Sequence, residues 1–201
     1  SELDHTRPYF EALRGEIKRI FRTAGDVDSP YFYPIGHEEP LEGTYGCLVI
    51  TADKGLAGAY NQNVLKEAEK LLAQHPDTKL YVVGEYGRHY FQQHHIPVEH
   101  SFLYTAQNPT MQRAREICSI LLSAYERGEL KEIFVIYTDM ESSLSSAAHS
   151  TRLLPFLLFD RGEEPPKAVL YLGRVLPPAI MAMLIVYCLK GVSFATPAGW
   201  V

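Results

Sequence analysis

The residues with the most capacity for chemistry lie between Thr51 and Asn63, in the stretch TADKGLAGAYNQN. A glycine-bearing turn at the end of an apolar run is where doubly wound folds hold ligands, because backbone N–H groups there can approach a phosphate. That chemistry needs glycines at GxGxxG or GxxxxGK[ST] spacing. Gly55 and Gly58 stand three apart, Lys54 precedes rather than follows them, and neither pattern is present. The spacing fits a tight structural turn better than a phosphate loop, with small-ligand or nucleotide binding as the alternative use of the same residues. Other clusters offer less. His89, His94, His95 and His100 include no pair on one helical face with a carboxylate beside it, so they read as structural or surface histidines. Asp139, Ser142, Ser143, Ser145, Ser146 and His149 hold the atoms of a hydrolytic triad without a GxSxG elbow, and a polar turn is the expectation. Glu38, Glu39, Glu42, Glu163 and Glu164 read as solvated loop charge.

Alternating strands and helices must position these residues. Tyr45 to Thr51 (YGCLVIT) is a nearly continuous apolar run, as expected of a strand covered on both faces of a parallel sheet. After the turn, Asn61 is expected to cap a helix with Val64, Ala68, Leu71 and Leu72 on one stripe, stopped by His75 and Pro76. The alternation repeats: strand Lys79 to Gly84, short aromatic helix Tyr86 to His94, weaker strand Val98 to Tyr104. Asn108 and Pro109 are expected to open a long helix with Met111, Ala114, Cys118, Leu121 and Tyr125 on one face, ended by Gly128 before the strand Glu132 to Tyr137. Leu153 to Phe159 could add an edge strand. The order predicts an α/β fold with a Rossmann-like, mostly parallel sheet flanked by helices.

Four segments are expected. Residues 1–25 form an amphipathic helix with Tyr9, Leu13, Ile17 and Ile20 on one stripe, and 26–43 a proline-bearing connector pinned by Tyr31, Phe32 and Tyr33. Residues 44–160 form the α/β domain and 161–201 a C-terminal helical segment. Val175 to Leu189 runs without a charge, but a span needs about 20 apolar residues and this run holds Pro177 and Pro178. It reads as a helix buried against a partner, and direct membrane insertion is not expected.

Composition narrows the classes further. In 201 residues, 46% are apolar, enough for a real core. A net charge of −5 with 19 scattered Lys and Arg leaves no footprint for nucleic acid. Cys47, Cys118 and Cys188 lack CxxC spacing and read as reduced, buried thiols.

Thr51 to Asn63 resembles the signature of the F-type ATP synthase gamma subunit: Thr, Ser, Asp, Arg or Lys, Gly and Leu, then a small-residue and glycine pair and Asn-x-Asn. Arg7-Pro8-Tyr9 is similar to that family's segment after its first coiled-coil helix and Ser29-Pro30-Tyr31 to the following connector; Ala124-Tyr125 with Gly128 resembles the end of its third domain helix, and Thr151-Arg152-Leu153-Leu154-Pro155 its final strand before the C-terminal helix. Ala52, Ala57 and Ala59 depart from the family pattern, and Ser193 to Val201 matches it poorly. The family's long helix before Arg-Pro-Tyr is not in the sequence, and the C-terminal helix stops early.

The resemblance implies a central-stalk subunit that couples ion-driven rotation to ATP synthesis or hydrolysis on its partners. Those partners are the alpha and beta subunits, the epsilon subunit and the membrane c-ring, at the cytoplasmic face of a bacterial plasma membrane. The terminal helical segments would belong to a coiled-coil shaft. It implies no catalytic residue, cofactor or metal in this chain. Asp53, Lys54, Gly55, Gly58, Tyr60, Asn61 and Asn63 are the expected signature turn and contact to a neighbouring rotor subunit. A standalone gamma-derived scaffold is a further alternative.

Overall fold

The computed structural model describes residues 43–54, 59–103, 109–142, 145–155, 178–186, 188 and 189, together with Gly15 and Tyr31. The expected N-terminal helix beyond Gly15, and Phe32 and Tyr33 of the connector, lie outside the described residues.

The elements alternate as β1 (Tyr45–Ile50), α1 (Ala59–Gln74), β2 (Lys79–Val83), α2 (Glu85–Gln93), β3 (His100–Phe102), α3 (Met111–Glu126), β4 (Glu132–Ser142) and β5 (Ser145–Leu154). They build one 5-stranded sheet in the order β3-β2-β1-β4-β5. β1 lies parallel to β2 and β4, β2 parallel to β3, and β5 closes one edge antiparallel to β4. All six residues of β1 are buried, as an uninterrupted apolar run in a central parallel strand requires. α1 and α2 touch one another and cover one face. The chain then reverses direction across the sheet from β3 to β4, which by the right-handed crossover rule puts α3 on the other face.

Helix boundaries differ from the sequence expectation for local reasons. α1 begins at Ala59, so Asn61 is inside its first turn and not its cap. α3 is capped by Thr110, whose side chain accepts the Arg113 N–H at 3.2 Å, and not by Asn108-Pro109; Asn108 lies outside the described residues. Met111 is exposed, and Ile117 takes the place expected of it on the buried stripe.

The largest correction concerns the hairpin. Ser142 to Ser150 reads as a polar turn and Leu153 to Phe159 as the edge strand, yet β4 runs on to Ser142 and β5 starts at Ser145. Pairs run from Ile133↔Leu154 to Ser142↔Ser145. Low apolar content misleads here because an edge strand is held by its antiparallel ladder and keeps one side open to solvent.

Tyr31 stacks on Tyr125 with centroids 6.2 Å apart and donates its hydroxyl to the Glu126 carboxylate. Burial, then this carboxylate, pushes the Tyr31 hydroxyl from its ordinary 10.0 up to about 12. The three cysteines are buried thiols, and burial pushes the Cys47 thiol up.

Gly84 sits at φ +94, where a Cβ would lie 2.3 Å from the Thr51 carbonyl oxygen. Gly128 has φ +76 with nothing within 4 Å of its Cβ position. Gly128→Ala should cost about 1 kcal/mol, the strain of positive φ alone. Gly84→Ala adds a backbone clash and should cost clearly more, on the order of 3 kcal/mol, both read from urea midpoints.

Tyr31 makes a second prediction. A raised folded-state value favours the protonated phenol, so its contribution is complete below pH 10.0 and is lost as pH rises toward about 12. Tyr31→Phe should remove one late-ionising tyrosine from an absorbance titration and shrink the alkaline fall in melting temperature.

Candidate functional site

The carboxyl ends of β1 and β4 diverge toward different neighbours, which makes the gap above them the switch point where a doubly wound fold binds ligands. The chain leaving β1 is tied mainly toward β2 and α2. Thr51 donates its hydroxyl to the Val83 carbonyl at 2.7 Å and accepts the Gly87 N–H at 2.9 Å. Its N–H bonds the same Val83 carbonyl at 2.9 Å. Ala52 donates its N–H to the Asn61 side-chain carbonyl at 3.0 Å and accepts the Tyr86 N–H at 3.1 Å. Asp53 accepts the Glu85 N–H at 3.3 Å, at the acceptor-poor start of α2.

Thr51, Asn61 and Tyr60 are 0 to 2% exposed, so this knot is core rather than surface. Tyr60 points its ring from the first turn of α1 toward Thr138 of β4, and burial pushes its hydroxyl up strongly. Of the residues expected to act here, Asp53 is half-buried and engaged with α2, Lys54 is exposed, and Asn63 is half-buried on α1. Gly55 and Gly58 lie outside the described residues. Thr51 and Thr138 were not singled out from the sequence. The β-branched polar residue ending an apolar strand run was the available signal for Thr51.

A nucleotide loop offers unpaired backbone N–H groups, and among the described residues of this turn the Ala52 N–H is already held by Asn61. The remaining clusters are structural. His94 stacks on Tyr90 at 4.0 Å and His100 lies against Phe102 at 4.5 Å. Among the described residues no group of His, Cys, Asp and Glu could hold a metal ion. In the hairpin register Asp139 faces Ala147 and His149 faces Tyr137, so the described residues of the triad reading sit along a ladder and not on an elbow, while Ser143 lies outside the described residues.

A groove of about 480 Å³ lies between α3 and the helix at residues 178–186, with Arg115, Ser119, Leu122 and Ser123 on one wall and Ala179 and Ala182 on the other. Among the described residues no helix is long and apolar enough to cross a membrane.

The chain is a Rossmann-like α/β body in which the Ala52 N–H beyond β1 is held by Asn61 of α1. Its fold is that of a chain from the central stalk and c-ring of the Tetrahymena thermophila mitochondrial ATP synthase. That comparison has a TM-score of 0.64 at 22% identity and covers 80% of this chain and 74% of the other. The ATP synthase family matches residues 1–191. An ATP synthase gamma chain of Ruminiclostridium cellulolyticum is 31% identical over 98% of this chain and 68% of its own length. One of Caldanaerobacter subterraneus subsp. tengcongensis is 42% identical over 76% of this chain and 51% of its own length. This chain belongs to the ATP synthase gamma chain family. It spans about half the length of the second of these relatives.

Asn61→Ala should orphan the buried Ala52 N–H and cost roughly 2 kcal/mol. Urea denaturation reads the loss, and hydrogen exchange at the Ala52 amide should accelerate along with it.

Proposed function

We propose that this chain is the central-stalk subunit of an F-type ATP synthase, coupling ion-driven rotation of a membrane c-ring to ATP synthesis or hydrolysis on the alpha and beta subunits. Residues 44–160 form its α/β domain, while 1–25 and 161–201 contribute to the shaft and 26–43 connect them. The subunit works peripherally at the cytoplasmic face of a bacterial plasma membrane and carries no catalytic residue. The observation that supports the non-catalytic role is the hydrogen bond from Ala52 to Asn61, which occupies the backbone group a bound phosphate would need. The same bond disfavours the small-ligand reading, and family membership over residues 1–191 favours the stalk over a standalone scaffold.

In this role the signature turn faces a neighbouring rotor subunit. Lys54 is exposed in this turn, and in this reading it faces the epsilon subunit. The test combines the full subunit with the alpha/beta hexamer and with epsilon. Assembly with both is expected, and failure to bind either removes the stalk reading. Lys54→Glu should weaken epsilon binding about fivefold, as reversal of an exposed charge does, with an unchanged melting temperature. Equal affinity of the variant would remove the turn from the interface.

A further inference from the structure

β1 and β4 pair as far as Val49↔Ile136, and the same register continued two places sets Thr138 of β4 opposite Thr51. The ladder between them ends before that point, and Thr51 gives both its N–H and its hydroxyl to the Val83 carbonyl of β2. The Thr51 carbonyl also faces the end of β2, since a Cβ on Gly84 would lie 2.3 Å from it. A trans peptide points its N–H opposite its carbonyl, so the Ala52 N–H is directed away from β2 and toward the β4 side. The acceptor it meets there is the Asn61 side-chain carbonyl at 3.0 Å. The Asn61 carboxamide therefore stands in the fork between β1 and β4, where a further carbonyl of β4 would otherwise continue the ladder.

A carboxamide has a second half, and among the described residues Asn61 Nδ2 meets no acceptor. Two hydroxyls at the same end of the sheet share that condition, Tyr60 Oη and Thr138 Oγ1. α1, which carries Tyr60 and Asn61, packs on both β1 and β4. Thr138 lies near enough to the Tyr60 hydroxyl to hold back part of the rise that burial imposes on it, without meeting it in hydrogen-bonding geometry. Asn61, Thr138 and Tyr60 are 0, 1 and 2% exposed, so bulk solvent does not reach them. Polar groups buried without partners are costly, and native proteins satisfy them with internal water. Such a water makes about three hydrogen bonds. The fork offers it one amide donor and two hydroxyls that each donate or accept. We propose that a structural water occupies the fork between β1 and β4, accepting from Asn61 Nδ2 and exchanging hydrogen bonds with the Tyr60 and Thr138 hydroxyls. It ties the first turn of α1 to β4 at the level where the ladder has ended.

A crystal structure of the full chain, at a resolution that shows ordered water, should place a water about 3 Å from Asn61 Nδ2 and from at least one of the two hydroxyls. Stability gives an independent reading. Thr138→Val and Tyr60→Phe each take one partner from the water and should lower the urea midpoint. The double variant should lose less than the sum of the two, because both act on the same water. In a Thr138→Ser background, which keeps the hydroxyl, Tyr60→Phe should cost as much as in the parent. Hydroxyls left bare in the core give the opposite sign, since removing them relieves a buried polar group. A raised midpoint in both single variants therefore overturns the site. So does a well-ordered fork without water in the crystal, and so do strictly additive losses, which put the two hydroxyls in separate surroundings.

Discussion

The close approach of Gly84 to the end of β1 is the constraint on which the upper side of the sheet depends. With φ at +94 and no Cβ, Gly84 brings the start of α2 against the Thr51 and Ala52 carbonyls. That proximity lets Thr51 reach the Val83 carbonyl and the Gly87 N–H, and lets Ala52 and Asp53 accept the first N–H groups of α2. One glycine thus aligns β1, β2 and α2 and directs the chain toward α1. A side chain at this position would push β1 and α2 apart, and the short bonds that follow depend on that separation.

Once Ala52 is fixed, the fate of the switch point follows. Asn61 comes round on the first turn of α1 and takes the Ala52 N–H with its side-chain carbonyl. In a nucleotide-binding relative of this architecture that region stays open, with helix N-terminal amides aimed at a phosphate. Here that side chain instead gives a buried hydrogen bond in a low-dielectric place, where such a bond is strong. Function resides in the site and not in the scaffold.

The sequence was most legible where packing dictated pattern. β1, β2 and the stripe Val64, Ala68 of α1 follow from apolar periodicity alone, because both sheet faces are covered. The Ser- and Ala-rich arm of the hairpin was not legible, since its strand character comes from pairing with β4. Periodicity carries no information about that ladder. Asn61 was recognisable as important but not for its role: a cap and an internal bridge use the same side-chain oxygen, and only the position of Ala52 distinguishes them. Thr110 was overlooked in favour of Asn108-Pro109 because two candidate cap signals stood side by side. Tyr31 was read as an anchor; its partners Tyr125 and Glu126 lie far along the chain and needed the fold to be identified.

The uncharged C-terminal helix brings these threads together. Its apolar residues looked like a segment in need of a partner, and part of that partner is the chain's own body, through Cys118 on α3 and the core beneath the sheet. Tyr60 and the helix residues Met181, Ile185 and Leu189 lie in the same buried core as β1. The Asn61 bridge and the buried face of the helix thus each tie an element from a different part of the chain to the one core built on β1, the first by a directed hydrogen bond and the second by apolar packing.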